Sequence, residues 1–403
     1  MYTTTAYPER GGAKNKNKLN TMIQTLLRCI AQLIRSLLSL LQDLWRRATA
    51  PTIQFDTGRS VRIGKQIAEG GFSFVFEAID ATQRNKKYAL KRIHVGDRDG
   101  LQACLREAGV HRALPQHHPH LMPLLGLCQE QTTIYMLFPC MPQSLRSVVN
   151  ASIFQKDNRP MRRPFTELKV LQLIHQIMSG VTAMHEANYS HRDIKLENIL
   201  MNGNNTPVLM DFGSVGPLEE PLQHRSQLLT MIETASSHTT MPYRPPELLE
   251  SGGVRAGDAA MDFTKVDVWS LGCTLFAMCF GASPFECEFR NNNNSNNTIR
   301  IVECTQLRIL GNLMPPSSMP PTDWYSPLLL DTIRLLLTQD RHTRPTLDEA
   351  MVEIEALIQK QGGRVPKVVL RNSSSGSVGA GVDGDGEDDG SDLDALLSSN
   401  RYV

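Results

Sequence analysis

No two cysteines in this chain are spaced C-x-x-C, and the eight present (Cys29, Cys104, Cys128, Cys140, Cys273, Cys279, Cys287 and Cys304) form no regular framework. That excludes a disulfide-stapled scaffold and a zinc-ribbon type of domain. Thiols scattered through helix-like and strand-like stretches read as reduced core thiols of a cytoplasmic protein. A dominant charge is also missing: 42 Lys and Arg against 41 Asp and Glu leave +1, which gives no overall field for nucleic acid, so none is expected as a partner. No signal-peptide cleavage site is found, and the apolar stretch over 22–45 contains Arg28 and Arg35, which make a membrane-spanning helix costly. What is present is ample for burial. With 41% apolar residues, 403 residues can build one large domain or two ordinary ones.

Composition divides the chain. Residues 1–20 read as a flexible basic N-terminus, with Lys14, Lys16 and Lys18. Over 21–50 the pattern becomes that of an amphipathic helix: Met22, Leu26, Ile30, Leu33, Leu37, Leu41 and Leu44 recur at three- and four-residue steps, opposite Arg28, Gln32, Arg35 and Ser39. Its cationic face, with Trp45, Arg46 and Arg47 at the end, suits a helix lying in a membrane surface through residues 22–47. Packing on the main domain or pairing with a second copy competes with that reading. Pro51 stops the helix, and a large domain is expected over 57–360. The asparagine run over 291–297 is a low-complexity insert. From 361 to 403 a Ser, Gly and Asp-rich composition predicts a disordered acidic tail, in which Asp392-Leu393-Asp394-Ala395-Leu396-Leu397 fits an acidic dileucine pattern for adaptor proteins.

The chemistry concentrates in His191-Arg192-Asp193-Ile194-Lys195-Leu196-Glu197-Asn198 and, about a dozen residues on, Met210-Asp211-Phe212-Gly213. Short apolar runs deliver carboxylate, amide and ammonium groups onto two neighbouring loops. Phosphoryl transfer asks for such a set: an oxygen base for the incoming hydroxyl, hard oxygen ligands for Mg²⁺, and a cation to neutralise the phosphate in flight. Asp193, Asn198, Asp211 and Lys195 supply it. Upstream, Ile67-Ala68-Glu69-Gly70-Gly71-Phe72-Ser73-Phe74-Val75 reads as strand, glycine turn and strand, a turn in which backbone amides can approach phosphates. His117-His118-Pro119-His120 reads as a packed turn rather than a metal site.

With these motifs the chain resembles the eukaryotic protein kinases, whose H-R-D-x-K-x-x-N and D-F-G motifs stand intact. The resemblance implies an α+β, bilobal fold: a β-rich N-lobe with one main helix, and a larger helical C-lobe. It implies ATP and Mg²⁺, Asp193 as base for a substrate hydroxyl, Lys195 screening the γ-phosphate, and Asn198 and Asp211 on the metal. Lys91 in Tyr88-Ala89-Leu90-Lys91 would hold the α- and β-phosphates and Glu107 would pair with it. Ile67, Gly70, Gly71, Phe72, Val75, Ala89 and Leu200 would wall the nucleotide. Phe138 would be the gatekeeper, and Pro139, Cys140 and Met141 the hinge, with Pro139 lacking an amide donor. Ala68 and Ser73 depart from the usual glycines of the phosphate loop.

Further implications concern regulation and architecture. Arg192 marks the class in which an arginine can clamp a phosphorylated activation segment. The hydroxyl-rich stretch from Gly213 to Pro245 is then a candidate regulatory loop, with Thr239 and Thr240 as candidate phosphosites. Pro245-Pro246-Glu247 stands for A-P-E, with Glu247 pairing Arg344, and Asp267 would hold the catalytic-loop backbone. Lysine two residues after Asp193 is the serine/threonine pattern. In finer detail Glu69-Gly70-Gly71-Phe72-Ser73 and Tyr243-Arg244-Pro245-Pro246-Glu247-Leu248 resemble the numb-associated kinases, closest to their myristoylated and palmitoylated branch. That family works in membrane trafficking on Golgi or vesicle membranes, and carries an extra helix after A-P-E, for which 248–265 has room. Tyr2 stands where myristoylation needs glycine. Protein substrates and autophosphorylation are expected. The competing readings are a pseudokinase scaffold, favoured only by the altered glycine loop, and a small-molecule kinase.

Overall fold

Strand-forming residues dominate 52–139, and there the computed structural model builds one antiparallel sheet. The structure describes residues 51–70, 73–83, 85–153, 162–222, 224–249, 259–290, 298–312 and 324–368, with Arg28, Ile30, Gln32 and Ile34. Strands β1 (Thr52–Gln54), β2 (Ser60–Glu69), β3 (Ser73–Asp80), β4 (Lys87–His94), β5 (Gly126–Glu130) and β6 (Thr133–Pro139) lie in the order β1-β2-β3-β4-β6-β5. The two-residue period of β4 decides which side chains face the core. Tyr88 and Leu90 are buried with Ile53, Val61, Ala78 and Leu137, so the alternate residues Ala89 and Lys91 take the other face. Helix α1 (Arg98–Ala113) starts at Asp97, whose side chain accepts from the Gly100 amide at 2.8 Å. It packs Cys104 and Ala108 with Ile93, Leu127 and Met136 of the sheet.

Helices build the second lobe. After β7 (Gln143–Ser144) come α2 (Leu145–Ile153) and α3 (Glu167–Glu186), the latter capped by Thr166. Strands β8 (Tyr189–Ser190), β9 (Ile199–Met201), β10 (Pro207–Leu209), β11 (Gly216–Pro217) and β12 (Glu219–Pro221) are short and carry the loops of the cleft. Helix α4 (Arg225–His238), β13 (Ala260–Asp262) and α5 (Phe263–Phe280) follow, then β14 (Cys287–Arg290), β15 (Thr298–Ile301), α6 (Gln306–Leu310), α7 (Pro327–Leu336) and α8 (Leu347–Lys360). Helix α5 is apolar on nearly every face because it runs through the middle of this lobe, between α3 and α7. Its composition alone would suit a membrane span. Burial among the other helices accounts for it here.

Two boundaries and one internal segment differ from the sequence expectation. The sheet extends N-terminal of residue 57, since β1 pairs with β2 from Thr52↔Arg62 to Gln54↔Ser60. At the other end, residues 361–368 are docked rather than disordered: Gln172 Nε2 donates to the Arg364 carbonyl at 3.2 Å and Val365 packs on the C-lobe core. The stretch expected as a candidate regulatory loop contains α4, held by Met231 and Ala235 against Leu248, Met261, Phe263 and Val266. Of the helix expected over 21–50, the four described residues are helical and exposed. The remainder of that helix, the asparagine run, the tail from 369 and residues 250–258, part of the 248–265 stretch with room for the extra helix, lie outside the described residues.

Candidate active site

A fully buried carboxylate organises the catalytic loop. Asp267, in the first turns of α5, accepts from the His191 amide at 2.9 Å, the Arg192 amide at 2.8 Å and His185 Nε2 at 2.9 Å. Burial pushes its carboxyl up, but the His185 hydrogen bond and the neighbouring histidines outweigh that, and the pKa ends below its ordinary value. These bonds hold Arg192 in the left-handed region at φ 69°, a conformation costly for a residue with a side chain. The loop is thereby fixed before substrate arrives. Asp193 projects from it into a closed network. Its Oδ1 accepts from the Thr240 amide at 3.0 Å and Oγ1 at 2.8 Å; its Oδ2 accepts from Lys195 Nζ at 2.7 Å and Asn198 Nδ2 at 3.1 Å. Lys195 also donates to Thr240 Oγ1 at 2.6 Å.

A second cluster crosses from the sheet to the helices. Lys91 on β4 donates to both oxygens of Glu107, at 2.7 and 2.9 Å, and lies 3.9 Å from Asp211. Desolvation pulls the ammonium pKa down, yet the Glu107 and Asp211 carboxylates more than offset it, so the pKa is raised and Lys91 is a cation at neutral pH. Asp211 sits at φ 67°, which turns Phe212 inward. The Phe212 ring packs 4.4 Å from His111 and edge-on to His191 at 5.8 Å, and His111 lies one helical turn beyond Glu107 on α1. Sheet, helix and both loops are therefore locked in one arrangement.

The expected nucleotide walls that are described fall on the strands and the turn between them. Val75 pairs with Lys91 across β3 and β4, Ala89 pairs with Phe138 across β4 and β6, and Leu200 lies on β9. Ile67 on β2 is exposed, and Gly70 donates its amide to the Ser73 carbonyl at 2.8 Å across the turn. Gly71 and Phe72 lie outside the described residues. Pro139 ends β6, and Met141 follows in the hinge. Mg²⁺ takes hard oxygen ligands and keeps several from water and phosphate, so a site with few protein ligands suits it. Among the described residues no three His, Cys, Asp or Glu gather around one point. Asp211, whose side chain is 44% exposed, and Asn198 are the residues that would hold the ion.

The model of the protein kinase domain matches residues 61–353. The chain belongs to the protein kinase family. Serine/threonine-protein kinase 16 of Homo sapiens is 30% identical over 308 residues, covering 76% of this chain and 92% of that protein. The protein of the same name from Rattus norvegicus is 29% identical with the same coverage. Serine/threonine-protein kinase ppk13 of Schizosaccharomyces pombe is 27% identical over 363 residues, 79% of this chain and all of that protein. The chain is a serine/threonine protein kinase.

Within the kinase, Thr239 and Thr240 have engaged hydroxyls. Thr239 Oγ1 donates to the Ala235 carbonyl at 2.7 Å and accepts from Arg244 Nε at 2.8 Å, while Thr240 is a direct partner of Asp193. Sequence reasoning placed both in a regulatory loop and missed these contacts. It also missed His111, which carries no motif signal. His111 Nδ1 meets the Met122 carbonyl at 2.9 Å, its Nε2 has no partner among the described residues, and Phe138 and Phe212 cover it. Desolvation lowers its pKa to about 4; of the charges facing it, Lys91 adds to that fall and Asp211 opposes it. His118 is likewise lowered to about 4 by burial and by the neighbouring His120.

These two histidines make the kinase acid-labile. Their folded pKa values lie below the unfolded value of 6.5, so the unfolded chain binds more protons between pH 6.5 and 4, and stability is lost as pH falls through that window. The expected loss is about 2 kcal/mol per histidine at pH 5. Thermal unfolding at pH 7.0 and 5.0 reads it directly. A lower Tm at pH 5.0, partly restored by His111→Phe, is expected; an unchanged Tm would contradict it.

Proposed function

We propose that this kinase transfers the γ-phosphate of Mg-ATP to serine and threonine hydroxyls with Asp193 as the proton-accepting base, and that it does so on Golgi or vesicle membranes as a member of the numb-associated family. The observation that carries the chemistry is the network joining Asp193, Lys195 and Thr240. By resemblance to the protein kinases the stretch from Thr240 to Glu247 docks protein substrates, so the base and that stretch are tied by two hydrogen bonds from one threonine. Asp193 Oδ1 is then placed to take a proton from a hydroxyl arriving along that stretch. Lys195, bonded to the same carboxylate, supplies the positive charge beside it, and Lys91 is held by Glu107 to meet the nucleotide phosphates. Mg²⁺, held by Asp211 and Asn198 together with the phosphates, would neutralise the charge that develops on the transferred group.

The altered glycine loop is the only feature favouring a scaffold without catalysis, and the formed Lys91–Glu107 pair and Asp193 network weigh against it. Membrane action is supported by the resemblance to the numb-associated kinases and by the amphipathic, cationic pattern over 22–47. One assay tests both parts: phosphate transfer by the full chain with phosphatidylserine-containing vesicles present, followed by flotation. Label on serine or threonine and kinase floating with the vesicles are expected. Label on tyrosine would overturn the acceptor class, and kinase left in the soluble fraction would remove the membrane reading.

A further inference from the structure

Arg192, beside the base, commits one hydrogen bond from each of its three side-chain nitrogens inside the protein. Its Nε donates to Ser190 Oγ at 3.0 Å, one terminal nitrogen to the Pro217 carbonyl at 2.6 Å, and the other to Glu220 Oε1 at 2.6 Å. The guanidinium carbon lies 3.5 Å from the centre of the Phe263 ring, and a Cβ at Gly216 would collide with the whole guanidinium group. Every nitrogen is engaged, one face is covered by an aromatic ring, and the opening that only glycine permits is filled by the arginine itself.

Glu220 is held there independently of any modification. It lies on β12, which pairs with β13 through Glu219↔Asp262, Glu220↔Met261 and Pro221↔Ala260. The Phe263 amide donates to the Leu218 carbonyl at 2.7 Å and the Leu222 amide to the Ala259 carbonyl at 2.9 Å, which stitches this part of the activation segment to the start of α5. From Val215 to His224 the sequence contains no serine, threonine or tyrosine. The stretch lying on Arg192 therefore offers no hydroxyl to phosphorylate and presents a carboxylate in its place.

We infer that Glu220 is a positioning residue: its carboxylate supplies the anion that holds Arg192, and through it the loop bearing Asp193, so that the kinase is catalytically ordered without phosphorylation of its activation segment. Phosphate opposite arginine orders such segments by charge-assisted hydrogen bonds, and a fixed carboxylate makes the same kind of bond. The inference rests on Asp193 being the base of phosphoryl transfer.

The test uses the full chain treated with phosphatase until intact mass shows no phosphate. Initial transfer rates and backbone hydrogen exchange are then compared for wild type, Glu220→Gln and Glu220→Asp. Phosphate-free wild type is expected to start without a lag at the rate of the untreated protein. Glu220→Gln should lower kcat about tenfold with the KM for ATP unchanged, as loss of the negative charge from a hydrogen bond to arginine implies, and raise exchange over 190–193 and 216–221. Glu220→Asp should recover both. A lag or a tenfold deficit in phosphate-free wild type overturns the inference, as does equal exchange in wild type and Glu220→Gln. A wild type inert in both phosphorylation states, with the exchange difference intact, would refute phosphoryl transfer while supporting the Glu220 contact.

Discussion

Asp193→Asn is expected to lower kcat by about 10²–10⁴-fold while the KM for Mg-ATP stays within about twofold. The substitution keeps the shape of the side chain and removes its basicity. It also turns one oxygen into an amide donor, which must face either Lys195 or Thr240, and both of those donate to Asp193 in the native network. Nucleotide binding should survive, because Lys91, Glu107 and the sheet residues lie in a separate cluster and make no hydrogen bond to Asp193. Steady-state kinetics with a serine peptide separate the two parameters. A kcat within a few-fold of wild type would mean that Asp193 is not the base.

Glu247→Ala is expected to be the most destabilising single change away from the cleft. Arg344 is 1% exposed, and its five N–H groups find five acceptors: Glu247 Oε1 and Oε2 at 2.7 and 3.0 Å, and the carbonyls of Thr338, Lys265 and Gln339 at 2.9, 2.7 and 3.2 Å. The guanidinium also lies 4.9 Å from the Trp269 ring centre. Removing Glu247 strands a buried cation, which costs about 3–5 kcal/mol and lowers Tm by roughly 10 °C for a domain of this size. Replacing both partners with apolar residues, Glu247→Leu with Arg344→Met, should cost less than the sum of the single changes, because neither charge is then left alone. Calorimetric scans of the three variants decide it. Additive losses would show that the pair is not coupled in the folded kinase.

What could be read in the sequence follows from how local each signal is. Lys91, Asp193, Asn198 and Asp211 lie in short motifs, and β4 and the catalytic loop place them as their neighbours dictate. The Glu247 to Arg344 pairing and the anchoring role of Asp267 also follow from motif residues, though the partners lie far apart in the chain. Helix α4 was hidden because Ser226, Thr230, Thr234, Ser236 and Ser237 make the segment look like a loop, while the apolar spacing Leu228, Met231, Ile232 and Ala235 that buries it is short. The β12–β13 clasp is three residues a side and has no strand signature, so Glu220 was invisible as a partner for Arg192. His111 looked like any surface residue of a polar helix until Phe138 and Phe212 closed over it.

Phosphate transfer by the purified kinase is the most direct test. Purified wild-type kinase, given γ-labelled ATP with Mg²⁺ and a serine peptide, is predicted to place label on the peptide in a reaction that chelation of the metal abolishes. Saturable binding of Mg-ATP by folded protein, with no label on peptide or kinase, would contradict it.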